Sequence, residues 1–180
     1  MDKNERISLL REACKLGKIP DNVTEWLIEN SFCTAPASAR FHGSYEGGLF
    51  DHSYSVMNAL VKLTADNGLV WQRKNSPYIV GLLHDVCKID QYELTDTGDA
   101  ERPFYRYVFD TQIRGHGSKS VAIVESLMEL TDEETACILH HMGAYGSKDT
   151  ERAFTNAVHA HSNVLWTHVA DMLAAHVQGV

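Results

Sequence analysis

The stretch GLLHDVCKID, Gly81 to Asp90, sets an imidazole, a carboxylate and an ammonium inside an apolar run. Gly81, Leu82, Leu83, Val86 and Ile89 predict a buried element, yet His84, Asp85 and Lys88 are costly to bury without partners. A chain that buries this segment must either let the three groups satisfy one another or seat a bound species among them.

The surrounding sequence is written mostly in helical periods. Ile7, Leu9, Leu10, Ala13 and Leu16 form a stripe over residues 5–16, ended by Gly17. Residues 22–31 predict a second short helix, and FCTAPASARFHGSYEGG, with Pro36 and three glycines, predicts a loop. Val56, Ala59, Leu60 and Leu63 mark a third helix from Leu49 to about Asn67, stopped by Gly68. Ser76-Pro77 opens a fourth, with proline at a tolerated first-turn position, expected to run to about Ile89. Residues 92–113 change character and predict two short strands around a polar turn. A fifth helix is expected from His116 to about Leu130. The sixth starts at the capping box TDEE, with Thr131 as the cap and Glu134 three residues on, and ends near Gly143. One long final helix is expected over about 153–177. The fold class is therefore mainly α, a helical bundle with a small β-hairpin insertion around 92–110. Trp26, Trp71 and Trp166 sit in apolar patterns and are read as core.

At 180 residues the chain fits one domain with a core of about 36–175 and the helices of 5–31 packed on it. A net charge of −8 gives no global attraction to nucleic acid or to an anionic membrane. No apolar run approaches the roughly 20 residues that span a bilayer, and the charged N-terminal stretch does not read as a signal peptide. Four cysteines with no CxxC pair argue against a cysteine zinc site and for reduced thiols in the cytoplasm.

Histidine, at ten residues, is the unusual count. His52 falls early in the third helix, His84-Asp85 late in the fourth, His116 at the start of the fifth, His140-His141 at the end of the sixth, and Asp171 in the last. That is roughly one polar contribution per helix, the way a bundle collects a site from several helices. Imidazole nitrogen and carboxylate oxygen together suit first-row divalent metals. His42, His159, His161, His168 and His176 are read as surface or core residues.

The ordered set of His52, His84-Asp85, His116, His140-His141 and Asp171 resembles the HD-domain superfamily of metal-dependent phosphohydrolases. LLHDVCKI looks like the family's central helix. RFHGSYEGGLFDHSYSV is similar to the segment around the first histidine in HD domains of the bacterial 3′–5′ exoribonuclease type. RGHGSKSV and LTDEETACILHHMG resemble segments of small bacterial and phage HD hydrolases. The resemblance implies a site for one or two ions of manganese, iron, nickel, cobalt or zinc. His52, His84, Asp85 and Asp171 would hold the first. Asp85 would bridge to a second held by His116 and one of the paired histidines, with His141 favoured over His140. It also implies a phosphomonoesterase or phosphodiesterase acting on a nucleotide or a nucleic-acid end.

Asp85 and Lys88 are the residues expected to take part in the chemistry. Four residues after His84, Lys88 shares its helical face and could meet a phosphate oxygen; a solvated lysine at a helix C-terminus is the plain alternative. Arg40, Tyr45, Arg114 and Lys119 flank the motifs and are candidate contacts to an anionic substrate. The aromatic hairpin is either a small satellite core or a lid that stacks on a base. Acidity and the lack of an added RNA-binding module favour a small phosphate ester over long RNA. Two other functions fit the same residues: a mixed-valence di-iron oxygenase on the same fold, and a non-catalytic nucleotide sensor.

Overall fold

The computed structural model of the protein describes residues 1–95, 104–108, 115–145 and 147–180. Helix α1 (Lys3–Gly17) begins at a capping box made by Asp2 and Glu5, and α2 (Asp21–Glu29) follows after a tight turn. The longest element, α3 (Gly48–Asn67), ends at Gly68, whose φ of 62° is the left-handed conformation that glycine adopts without steric penalty. Next come α4 (Ser76–Leu83), a 3₁₀ segment (Val86–Asp90), and the antiparallel pair β1 (Tyr92–Thr95) and β2 (Phe104–Tyr107), with Tyr92 opposite Tyr107 and Thr95 opposite Phe104. Helices α5 (His116–Glu125), α6 (Asp132–His140), α7 (Lys148–Ala160) and α8 (Asn163–Met172) complete the bundle, and a π-helical turn (Leu173–Gln178) extends α8. The architecture is mainly α with one small hairpin, as the periodicities predict. Among the described residues no helix is long and apolar enough to cross a membrane.

Helix α4 organises the interior because it is apolar on nearly every side. Ile79, Leu82 and Leu83 join a cluster with Leu10, Leu27, Phe32 and Phe50, which seats α1 and α2. Val80 joins a second cluster with Val56, Leu60, Ile138, Val164 and Ala170, which ties α3 to α6 and α8. The α3–α4 crossing is close. A Cβ added at Gly81 would lie 2.3 Å from Met57 Cα, so the two backbones pack with no side chain between them. Trp71 is buried in the second cluster, while Trp26 and Trp166 pack half-buried against the first and second.

A buried polar network fixes the connection between α3 and α4. Thr131 caps α6 as the sequence predicts. The carboxylate of Glu134 accepts from the Thr131 N–H and the Ser76 hydroxyl and pairs with Arg73 at 3.3 Å. Glu133 accepts from the Gln72 N–H and from Asn163 Nδ2, each within 2.9 Å. Every buried carboxylate here has a donor, which is the condition for burying it.

The structure departs from the periodicity in three places. The fourth helix stops at Leu83, not Ile89; His84 and Asp85 form a turn, and the chain continues as 3₁₀. The fifth ends at Glu125, where Leu127 N–H bonds to Val124 O and turns the chain so that Leu127, Met128 and Leu130 reach the core. The final helix is two helices. His161 is extended, and the buried Asn163 donates to Val70 O and to Glu133, which pins the chain and redirects it. Serine and asparagine hold such breaks because their side chains compete for backbone partners.

Substituting Gly81→Ala is expected to lower the unfolding free energy by about 1–3 kcal/mol through overpacking against α3. Gly68→Asn is expected to stay near wild type, because asparagine tolerates the left-handed conformation and nothing lies within 4 Å of a Cβ there. Urea unfolding of both variants checks the contrast; equal stability would mean that the crossing is not close-packed.

Candidate metal centre

Two of the site histidines stand where a helix ends. His84 follows α4 and His141 follows α6. The last carbonyls of a helix have no partner within it. In both places the imidazole supplies one: His84 Nδ1 lies 2.9 Å from Gly81 O, and His141 Nδ1 lies 2.7 Å from Ile138 O. His52, within α3, is held alike, with Nδ1 3.0 Å from Val180 O. A carbonyl only accepts, so each Nδ1 carries the proton. In a neutral ring the opposite nitrogen, Nε2, is then a bare lone pair.

Those lone pairs converge. His52 Nε2 and His84 Nε2 are 3.3 Å apart. With both Nδ1 atoms protonated, neither ring has a proton to give the other, so the contact is repulsive until a cation lies between them. Asp85 Oδ2 lies 3.6 Å from His52 Nε2 and 3.5 Å from His84 Nε2. Asp171 Oδ1 lies 3.1 Å from His52 Nε2 and 3.9 Å from His84 Nε2. On the far side of the carboxylate, His141 Nε2 is 3.4 Å from Asp85 Oδ1. Both of these last atoms are buried without a hydrogen-bond partner among the described residues. His52, His84 and Asp85 offer donor atoms within 4.8 Å of one another.

Charge is arranged to match. Burial dominates at His84 and pushes its pKa down, which keeps the ring neutral and its lone pair available. Burial would raise the Asp85 carboxyl, but the Lys88 ammonium and the neighbouring imidazoles outweigh it and hold the pKa well below the usual carboxylate range. Asp171 is likewise held at about 2: burial opposes, and the His52 ring beside it prevails, with His84 and His141 adding to it. At His141 burial is overcome by the Asp85 carboxylate beside the ring, and its pKa is raised. Facing nitrogen lone pairs, ionised carboxylates and two orphaned buried atoms fit a divalent ion with nitrogen and oxygen ligands.

Lys88 enters by a different geometry from the one its spacing predicts. The 3₁₀ segment sets residues three apart over one another, so Lys88 stands over Asp85, with Nζ 2.6 Å from Oδ2. Burial alone would lower the ammonium pKa; Asp85 outweighs it and raises it.

The remaining predicted residues separate. His116, the first residue of α5, is half-buried, with Nδ1 3.4 Å from Gln91 Nε2 and 3.8 Å from Cys87 Sγ. Burial lowers its pKa against the opposing pull of Asp85. His140 is half-buried, its pKa pushed down by burial and by the charge of His141. Tyr45 donates its hydroxyl to Asp51, which Arg6 grips through two hydrogen bonds of 2.9 Å, so Tyr45 belongs to a lock between α1 and α3. Arg40 stacks over Phe104, 4.3 Å from the ring centroid, joining the loop before α3 to the hairpin. Lys119 pairs with Asp90 at 2.8 Å. Arg114 and the hairpin's Phe109 lie outside the described residues.

A cavity of about 510 Å³ opens onto the cluster, with Asp85, Lys88 and Asp171 in its wall. It also exposes three histidines that the sequence reading set aside. The His42 ring lies tilted against His52, centroids 5.0 Å apart, and its pKa is pushed down to about 4, chiefly by burial. His168 has Nδ1 2.9 Å from His141 O, and His176 lies on the π-helical turn. His168 precedes Asp171 by three residues, a helical-face signal that was available in the sequence; nothing in the pattern marks His42.

The profile of the HD domain family matches residues 49–175. The match spans well over half of the chain, which therefore belongs to the HD-domain superfamily of metal-dependent phosphohydrolases, whose members bind divalent metals. No curated protein and no solved structure matches the chain.

His141→Ala is expected to reduce bound metal strongly, whereas His140→Ala retains it, measured by elemental analysis of protein loaded with manganese, iron, nickel, cobalt or zinc. Asp85→Ala should lose most metal while circular dichroism still reports a helical chain. Full occupancy in Asp85→Ala would overturn the assignment.

Proposed function

We propose that the protein is a metal-dependent phosphohydrolase acting on a small phosphate ester, a nucleotide being the substrate most in keeping with its family. The observation that carries this reading is the Lys88–Asp85 pair in the cavity wall. It sets an ammonium beside the cluster that would hold the ion, where a phosphoryl oxygen has to sit.

His52, His84, Asp85 and Asp171 would hold one ion, and Asp85 together with His141 and His116 would hold a second. When bound, a divalent ion supplies an acidified water as nucleophile and positive charge for the phosphoryl oxygens. The protein's own groups do the rest. An ammonium has three N–H donors; Lys88 gives one to Asp85 Oδ2 and can turn the others to a phosphoryl oxygen. Asp85, with its pKa held so low, is a poor base, so its part is to fix charge and ligand geometry. The backbone carbonyls behind His52, His84 and His141 hold the ring orientations before any substrate arrives.

Hydrolysis of bis-p-nitrophenyl phosphate and of nucleoside monophosphates by metal-loaded protein, under anaerobic conditions, tests the reading. Lys88→Ala is expected to lower kcat/KM by about a hundredfold, the scale for one preorganised donor to a developing charge, with metal content retained. Turnover that survives complete removal of metal, or Lys88→Ala at wild-type rate, would sink it. Dioxygen consumption by the iron-loaded protein without hydrolysis would point to oxygenase chemistry instead.

A further inference from the structure

The cavity is divided in character along its depth. Its buried part carries charge: the side chains of Asp85, Lys88 and Asp171 are 3%, 10% and 15% exposed. Its mouth is mostly apolar and open, with the exposed His176 beside it. Met142, Tyr145 and Met172 line it, with exposures of 47%, 85% and 44%, and Ala144 and Ala175 fill the wall between them. The two parts are joined through the chain. Met142 follows His141 directly, and Met172 follows Asp171 directly. The rim is therefore tied to the cluster by single residue steps, Met172 at the end of α8 and Met142 in the turn that follows α6.

Exposed apolar side chains gathered at one rim have a reason only if something covers them. Methionine pairs adapt to flat and irregular apolar partners, and their sulfur makes favourable contacts with aromatic rings. The charge count in the cavity limits the other end of the ligand. Among the described residues Lys88 is the one lysine or arginine in its wall, and it is already paired with Asp85. Besides the three histidines of the wall, a chain of several phosphates would find one lysine to meet it; a single phosphoryl group held against metal and Lys88 needs no more.

Resting on the hydrolase reading, we infer that the substrate is an ester with one phosphoryl group and an aromatic or apolar organic group. The phosphoryl group lies on the Asp85–Lys88–Asp171 floor and the organic group on the Met142–Tyr145–Met172 rim. Polyphosphorylated compounds are excluded as preferred ligands.

Phosphonates are not hydrolysed, so their binding reports on the cavity whether or not the protein turns over an ester. Calorimetric titration of the metal-loaded full chain is expected to show phenylphosphonate binding about tenfold tighter than methylphosphonate, about 1.4 kcal/mol. Met172→Ser and Met142→Ser should each narrow that ratio, a change that general loosening of the fold would not produce selectively. In competition, adenosine 5′-triphosphate as its magnesium complex should displace phenylphosphonate no better than adenosine 5′-monophosphate does. Equal affinity for the two phosphonates, an unchanged ratio in both serine variants, or preferential displacement by the triphosphate would overturn the inference. The hydrolase reading fails separately, through absent turnover of both bis-p-nitrophenyl phosphate and nucleoside monophosphates while the phosphonate preference persists.

Discussion

The approach of two imidazole nitrogens to 3.3 Å inside the bundle is the constraint around which the rest is arranged. Neither His52 nor His84 can relieve it by donating, since each has committed its proton to a backbone carbonyl. Rotation is blocked too, because both rings are fully buried. The packing of α3 on α4, with no side chain at Gly81 to hold them apart, is what brings the rings so close. A tight helix crossing and a metal-ready pair of lone pairs are thus one feature seen from two sides. The carboxylates of Asp85 and Asp171 answer the same need, by lowering the potential where a cation would sit.

Much of this was legible in the sequence. Apolar periodicity located α1, α2, α3 and the starts of α4 and α6, and the Thr131 capping box placed its helix to the residue. What periodicity could not show is where a helix stops when the residues that end it are themselves apolar or histidine. His84 ends α4 by putting its own ring on the Gly81 carbonyl, a contact with no signature in a hydrophobic pattern. Asn163 breaks the final helix for a comparable reason, since its bonds reach Val70 and Glu133 far away in the chain.

The site followed the same division. The histidine and aspartate types and their spacing, one contribution per helix, pointed to His52, His84, Asp85, His141 and Asp171, and these five side chains lie together. Residues chosen only because they flank a motif fared differently: Tyr45 and Arg40 belong to structural contacts. Flanking position carries no information about which way a side chain turns. Lys88 was found for an incomplete reason, since a true α-helix would have set it over His84, whereas the 3₁₀ turn sets it over Asp85. His42 was invisible because tertiary packing alone brings it to the cavity, whereas His168 stands one helical turn before Asp171.

The hydrogen bond behind His52 joins residues 128 positions apart. Contacts of such sequence separation form late, because the chain entropy of closing a long loop must be overcome before the contact adds anything. His52 therefore gains its fixed orientation only when the π-helical turn has docked on α3. A partly folded chain would hold His84 and His141 in place through their local carbonyls, while His52 stayed free to turn. An ion held by His52, His84 and Asp85 would thus meet its full ligand geometry only at the end of folding, and would add its binding energy to the native state.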